Sequence, residues 1–225
     1  MVAGPAGVTD GELQAVVDRL LAASDREAAA AFAAALDDAE EILAAARDPH
    51  WVAWRHALYA RRWVGEDDPD AARGEVSAAR EVLENCAPSA ETALILAYLA
   101  HVEVTADHYD AAMLLAVDAS LLTDASAAPS RTLHRAHFWL SLTLTGLDLE
   151  ELAAAHAVRA RRVAGQLPDL ADRWRMLLLC AQQHTELAQT VGRRGDTLRA
   201  RELAEVAEAC ATEARALDWE PAPAE

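Results

Sequence analysis

The chain has 225 residues, a mass of 24.2 kDa and a formal net charge of −17 at neutral pH. Apolar residues make up 53% of the sequence and charged residues 25%, which is typical of a folded protein and excludes a disordered chain. The negative charge repels phosphate backbones and anionic membrane surfaces, so we expect no direct nucleic-acid partner and no membrane partner.

The residue composition favours helices. Alanine is abundant, isoleucine occurs only at Ile42 and Ile95, and there is no lysine. Alanine is the best helix former and β-branched residues favour strands, so we predict an all-α fold. We interpret the excess of alanine and arginine as the coding bias of a GC-rich bacterial genome.

The cysteines and the termini indicate a cytoplasmic protein. Cys86, Cys180 and Cys210 are far apart and odd in number, which predicts reduced thiols buried among helices rather than a disulfide framework or a zinc site. The N-terminus lacks the basic and apolar regions of a signal peptide, and the apolar stretches are too short to span a bilayer.

Helix-start and helix-stop residues divide the chain into about ten helical segments. In the first half we predict helices at Asp10 to Ala23, Asp25 to near Arg47, Pro49 to near Val64, from Asp68-Pro69 onward, and from after Ser89 to Thr105. The second of these is predicted to open with a capping box formed by Ser24 and Glu27.

In the second half we predict helices at Asp107 to near Leu122, Pro129 to Gly146, Asp148 to before Pro168, Asp169 to about Val191 or Arg194, and after Asp196 to Leu217. Asp148 and Glu151 form another predicted capping box. Because the connections are short, successive helices are expected to pack as antiparallel hairpins. The predicted organisation is a disordered N-terminus (1–8), one helical domain (9–218) and a linker or frayed tail (219–225).

Small residues recur at steps of 12 and then 7 residues in four sets: Ala60, Ala72, Ala79; Ala100, Ala112, Ala119; Ser141, Ala153, Ala160; and Ala188, Ala200, Ala207. A turn falls at the same place in each set, at Asp67, Asp107, Asp148 and Gly195. Antiparallel helices approach closely only where the side chains at the crossing point are small, which explains such a repeat.

This pattern resembles the tetratricopeptide repeat. Leu99-Ala100, Asp107, Tyr109, Ala112 and Ala119 match the consensus best, and the resemblance covers about Trp51 to Leu217. The units begin 40, 41 and 47 residues apart, against about 34 in the family, so the helices are longer than usual. The resemblance implies a right-handed superhelix of antiparallel helical hairpins, a TPR-like α-solenoid, with a capping hairpin at 9–48 and four repeats at 49–218.

The resemblance also implies a concave groove lined by the first helix of each unit. The positions carried over to this groove are Trp54, Ala57 and Arg61; Leu94, Ala97 and His101; Arg135, Phe138 and Leu142; and Gln182, Thr185 and Gln189. Such a groove holds a peptide, a partner helix or a small ligand. The alternative is that Trp54 and Phe138 are ordinary core residues.

Two side-chain clusters have a simpler interpretation than a binding site. Trp51, Trp54 and Trp63 lie on one helix, and an aromatic stripe at this spacing is more typical of a core than of a binding box. His134 and His137 are three residues apart, and His101 on a neighbouring helix completes a possible metal-ligand set. No acidic ligand accompanies them, so we expect no metal site and place both at the groove edge or the surface.

Enzyme signatures and phosphate-binding loops are absent from the sequence, so we expect a protein that is not an enzyme and holds no cofactor. The leading hypothesis is an interaction or sensory module that binds a partner segment or ligand in the groove. It resembles N-terminal sensory regions of bacterial signalling proteins, such as GGDEF diguanylate cyclases and some transcription activators. The alternatives are a small-molecule-binding helical domain and a structural module that forms a homodimer.

Overall fold

The computed structural model describes residues 8–26, 29–126 and 128–217. The expectations for residues 1–7, for Glu27 of the first predicted capping box and for the tail from residue 218 lie outside this range.

The described residues form helices and contain no strand, which confirms the all-α prediction. The helices are α1 (Asp10–Arg26), α2 (Ala29–Ala44), α3 (Pro49–Gly65), α4 (Pro69–Leu83), α5 (Ala90–Thr105), α6 (Tyr109–Ala125), α7 (Arg131–Gly146), α8 (Glu150–Gln166), α9 (Leu170–Arg193) and α10 (Thr197–Ala216).

The helices form two compact units. The first contains α1 to α4 together with Thr105–Asp107, and within it α1 packs on α2 and α3, α2 on α3, and α3 on α4. The second contains α5 to α10, apart from the last residue of α5. There α7 packs on α6, α8 and α9, while α9 also packs on α8 and α10. The single superhelical domain expected over 9–218 stays a prediction.

Four helical pairs are joined by the same three-residue connection, at 66–68, 106–108, 147–149 and 194–196. Its middle residue has left-handed backbone in every case, with φ of 60° at Asp67, 61° at Asp107, 60° at Asp148 and 97° at Gly195. These are the four positions at which the repeat pattern places its turns. The periodicity is therefore a property of the backbone as well as of the sequence.

The first three of these turns share a hydrogen bond that closes the preceding helix. The amides of Asp68, His108 and Leu149 each donate to the carbonyl five residues earlier, at 2.9 Å. This is the Schellman arrangement, in which a left-handed residue lets the chain turn back and satisfy a carbonyl of the last helical turn. Aspartate tolerates left-handed backbone better than most residues other than glycine, which explains its presence there.

The small residues of the four sets lie where helices meet. All twelve are buried except Ala200, which is partly exposed. Eleven of the twelve positions are therefore buried, as expected of a small-residue seam, by which we mean the twelve small residues of these four sets. Close packing of helices requires such positions, because a larger side chain would hold the backbones apart.

Three predicted helix starts are wrong, those at Asp25, Asp107 and Asp148. Asp107 is the left-handed residue of a turn, and α6 begins at Tyr109. Helix α1 continues through Ser24 to Arg26, because the alanine-rich sequence around Ser24 sustains the helix and a single serine does not end it. Asp148 takes the left-handed position of a turn instead of capping α8. That helix begins at Glu150, and its N-cap residue Leu149 makes no side-chain capping bond.

Several other starts are confirmed, since the side chains of Asp48, Asp68, Asp169 and Asp196 each accept a backbone amide of the following helix. Helix α7 begins at Arg131, two residues after the predicted Pro129, with Ser130 as its N-cap. Thr9 and Glu12 form the reciprocal bonds of a capping box at the start of α1.

The seam generates a stability prediction for Ala153, which is fully buried on α8. We expect Ala153→Leu to lower the free energy of unfolding by about 1–3 kcal/mol, because the added methyl groups overpack the helical contact. The matched control is Ala155→Leu, two residues away on the exposed side of α8, which should change stability by less than about 0.5 kcal/mol. Urea unfolding of both variants measures the difference, and equal effects would contradict the seam.

Candidate functional site

The predicted groove residues divide into buried and exposed positions. Trp54, Leu94 and Phe138 are buried, as are Ala57 and Ala97 beside them. Their burial favours the core alternative for Trp54 and Phe138, and contact with a ligand stays a prediction. The other groove positions retain exposed surface: Arg61, His101, Arg135 and Leu142 in part, and Gln182, Thr185 and Gln189 more fully.

Within the second unit, α7 lies against both α5 and α9. The rings of Tyr98 and His101 on α5 each lie 4.9 Å from the Trp139 ring, centroid to centroid. On the other side, Gln183 Nε2 of α9 donates to the Phe138 carbonyl at 2.9 Å. The groove positions of α5, α7 and α9 are therefore on neighbouring helices, whereas Trp54 and Arg61 belong to α3 in the first unit.

The least expected feature is a set of four buried histidines, His134, His137, His156 and His184. The expectation that His134 and His137 lie at a groove edge or the surface is wrong. A sequence signal was present, because both lie seven and four residues before Ser141, on the helix face that carries this seam residue. Residues that share a face with a seam position share its burial.

Hydrogen-bond partners connect these histidines across four helices. His134 Nε2 lies 3.3 Å from Cys180 Sγ, and His184 Nδ1 lies 2.8 Å from the Cys180 carbonyl. His137 Nδ1 and His156 Nδ1 are 3.0 Å apart, and His156 Nε2 lies 3.4 Å from the Ser120 hydroxyl. A bond between two Nδ1 atoms requires one to donate and the other to accept, so the pair holds two different tautomers.

Burial keeps these side chains uncharged. It lowers the pKa of His134 to about 3, with a smaller contribution from the positive charge of Arg135. Burial also lowers the pKa values of His137 and His156, assisted by Arg159 beside both. The pKa of His184 is lowered for the same reason. All four are therefore neutral at pH 7.

The three thiols are free, and Cys180 and Cys210 are buried as the sequence predicts, while Cys86 is partly exposed. Burial raises the pKa of the Cys180 thiol, so it stays protonated and is a poor nucleophile. Over residues 8–26, 29–126 and 128–217, no three or more histidine, cysteine, aspartate or glutamate side chains are grouped so as to hold a metal ion.

An exposed apolar stripe occurs on α6, which sequence reasoning missed. Leu114, Val117 and Leu121 are 62%, 49% and 65% exposed, and their spacing puts them on one helix face. We call these three residues the α6 ridge. The signal in the sequence is an excess of apolar residues, because the buried face of α6 already uses Ala112, Leu115, Ala116 and Ala119.

Acidic residues flank the α6 ridge. Asp110, Asp118 and Asp124 lie on the same exposed side of the helix, and α6 contains no basic residue. Asp124 is paired with Arg159 at 3.0 Å. The ridge is therefore an apolar strip with carboxylates beside it, which is one half of an amphipathic helix contact.

None of the helices within the described ranges combines the length and the apolar character needed to cross a membrane. No protein-family model, curated protein or solved structure matches this chain. The resemblance to tetratricopeptide repeats therefore stays a prediction.

The buried histidines predict a pH dependence of stability. Their folded-state pKa values lie below the ordinary value of 6.5, so the unfolded chain binds more protons once the pH falls below that value. Stability should be complete above about pH 6.5 and decrease towards pH 4, with each buried histidine adding up to about 1.4 kcal/mol per pH unit.

Urea unfolding between pH 7.5 and 4.5 measures this slope. The double variant His137→Leu/His156→Leu removes both partners of one buried pair and should show a shallower slope. The control Gln189→Leu replaces an exposed side chain that carries no titratable group and should keep the wild-type slope. A double variant as steep as the wild type would show that the pair does not titrate on unfolding.

Proposed function

We propose that the chain is a non-catalytic protein-interaction module whose α6 ridge binds a basic amphipathic helix of a partner. The observation that carries the proposal is the apolar stripe of Leu114, Val117 and Leu121 with its acidic borders. The interaction role agrees with the leading hypothesis from the sequence, whereas the binding surface differs from the expected groove of α3, α5, α7 and α9.

The apolar part supplies affinity. Single exposed leucines are ordinary on protein surfaces, but three large side chains in one stripe present a continuous surface that a partner can cover. An amphipathic helix places its own apolar residues at matching spacing, and its burial there removes apolar area from water on both sides.

The charged part selects the partner. Asp110 and Asp118 form no ion pair within the described part of the chain, so their carboxylates remain available to lysine or arginine. A second copy docked through the same face would bring like charges together in a chain of net charge −17, which opposes the dimer alternative. A sensory role in a signalling protein rests on the family resemblance alone.

A designed probe tests this proposal directly. The probe is a labelled synthetic peptide of about 18 residues, with leucine on one helical face and arginine on the other. We expect it to bind the wild type, and the double variant Leu114→Glu/Leu121→Glu to weaken binding by about tenfold or more, because it removes apolar contact and adds negative charge to the ridge. Fluorescence anisotropy at low and moderate salt measures the affinity.

The matched control is Leu152→Glu/Leu198→Glu, which changes two leucines that are 53% and 69% exposed on α8 and α10. It should change affinity by less than about twofold. Equal binding of a scrambled peptide with the same composition would contradict the proposal, as would equal loss in the control. Sedimentation is a further check, since a wild-type dimer that dissociates in the Leu114→Glu/Leu121→Glu variant would replace the proposal with self-association.

A further inference from the structure

A second surface feature is a cleft between α8 and α10 in the second unit, with a volume of about 600 Å³. It is lined by residues of both helices and by His184 of α9. Pockets for small ligands have volumes of roughly 300–1,000 Å³, so the cleft has a suitable size. The α6 ridge does not line this cleft, so the cleft can bind a ligand independently of the ridge.

Ion pairs hold the helices around the cleft. Arg161 of α8 lies 3.2 Å from Glu213 of α10. Arg194, directly after α9, lies 2.6 Å from Glu150 at the start of α8 and also pairs with Asp148 in the turn before it. Helix α9 packs on both α8 and α10, so the three helices around the cleft are held together by their own contacts.

The cleft lining has one more basic than acidic side chain, although the whole chain is strongly acidic. Three arginines line it, Arg159, Arg162 and Arg199, against two glutamates, Glu151 and Glu202. Arg199 is paired with Glu202 at 3.1 Å, and Arg159 with Asp124. Arg162 has no carboxylate partner among the described residues and is exposed. Its guanidinium can donate two parallel hydrogen bonds to an acid group.

His184 supplies a second, independent feature. The side chain is fully buried at the cleft, with 0% exposure. Nδ1 must carry the ring proton, since it lies 2.8 Å from the Cys180 carbonyl, which only accepts. The lowered pKa leaves the ring neutral, so Nε2 is an acceptor, and it has no hydrogen-bond partner within the described residues. A buried acceptor without a donor is costly and rare, so this atom calls for a hydroxyl or an amine.

From this arrangement we propose that the cleft binds a small organic anion that carries both an acid group and hydroxyl groups. The acid group, a carboxylate or a phosphate ester, pairs with Arg162. A hydroxyl donates to Nε2 of His184, and further hydroxyls donate to Glu151 or Glu202. Val158, Leu203 and Val206 complete the lining and cover the carbon skeleton of the ligand.

The test uses four probes that separate the two chemical features. Gluconate and glucose 6-phosphate carry an acid group and hydroxyls, glucose carries hydroxyls alone, and inorganic phosphate carries charge alone. Titration calorimetry on the full chain should detect the first two and give at least about tenfold weaker binding for the last two. In ¹⁵N-histidine spectra, the Nε2 signal of His184 should shift on binding of either of the first two probes.

Two arginine variants make the assignment specific. Arg162→Gln should weaken binding of glucose 6-phosphate by about tenfold or more, because one charge-assisted contact is lost. Arg201→Gln removes the same charge from an exposed position of α10 outside the cleft lining and should change affinity by less than about twofold. Both residues are exposed, so neither variant threatens folding.

Three results would overturn the proposal. The first is that neither gluconate nor glucose 6-phosphate binds at millimolar concentration. The second is equal loss in the Arg162→Gln and Arg201→Gln variants, which indicates general charge attraction only. The third is that inorganic phosphate binds as tightly as glucose 6-phosphate, which would show that a hydroxyl contact to His184 adds nothing to the affinity. None of these results changes the peptide experiment on the α6 ridge, so the two proposals fail separately.

Discussion

The left-handed residue in the middle of each three-residue connection is the constraint on which the helical pairs depend. At Asp67, Asp107, Asp148 and Gly195 it reverses the chain within one short turn. Two helices joined so tightly must run alongside each other, and they approach only where their side chains are small. Buried alanines and Ser141 meet this requirement on both sides of each turn. The turn therefore brings the two helices together, and the small residues of the seam allow them to pack closely.

The second unit also buries polar side chains between its helices. The seam face of α7 buries His134, which contacts the Cys180 thiol of α9, and His137, which contacts His156 of α8. His156 in turn contacts the Ser120 hydroxyl of α6. Because these rings are buried, they are neutral and act as hydrogen-bonding groups instead of charges. His184 Nδ1 lies 2.8 Å from the carbonyl of Cys180 on its own helix, and among the four histidines His184 is the one that lines the cleft.

Much of the fold follows from the sequence because helix caps, alanine spacing and turns are local signals. The caps at Asp68, Asp169 and Asp196 and the four turns are examples. Asp148 shows the limit, since aspartate suits both an N-cap and a left-handed turn and the sequence alone does not separate these roles. The surfaces were harder to predict. To predict the α6 ridge, one must know which of the two apolar faces of α6 is covered by other helices. To predict the cleft, one must know that side chains from α8, α9 and α10 meet, which happens only in the folded chain.

Nuclear magnetic resonance of the labelled protein tests the repeated turn most directly. Asp67, Asp107 and Asp148 should each give the strong amide-to-Hα contact within one residue and the Cα shift that accompany positive φ. Asp70, in the first turn of α4, provides the right-handed helical reference. Left-handed signals at all three positions are the result that this account predicts. Helical or extended signals at any of them would contradict a common turn and, with it, the packing scheme that depends on it.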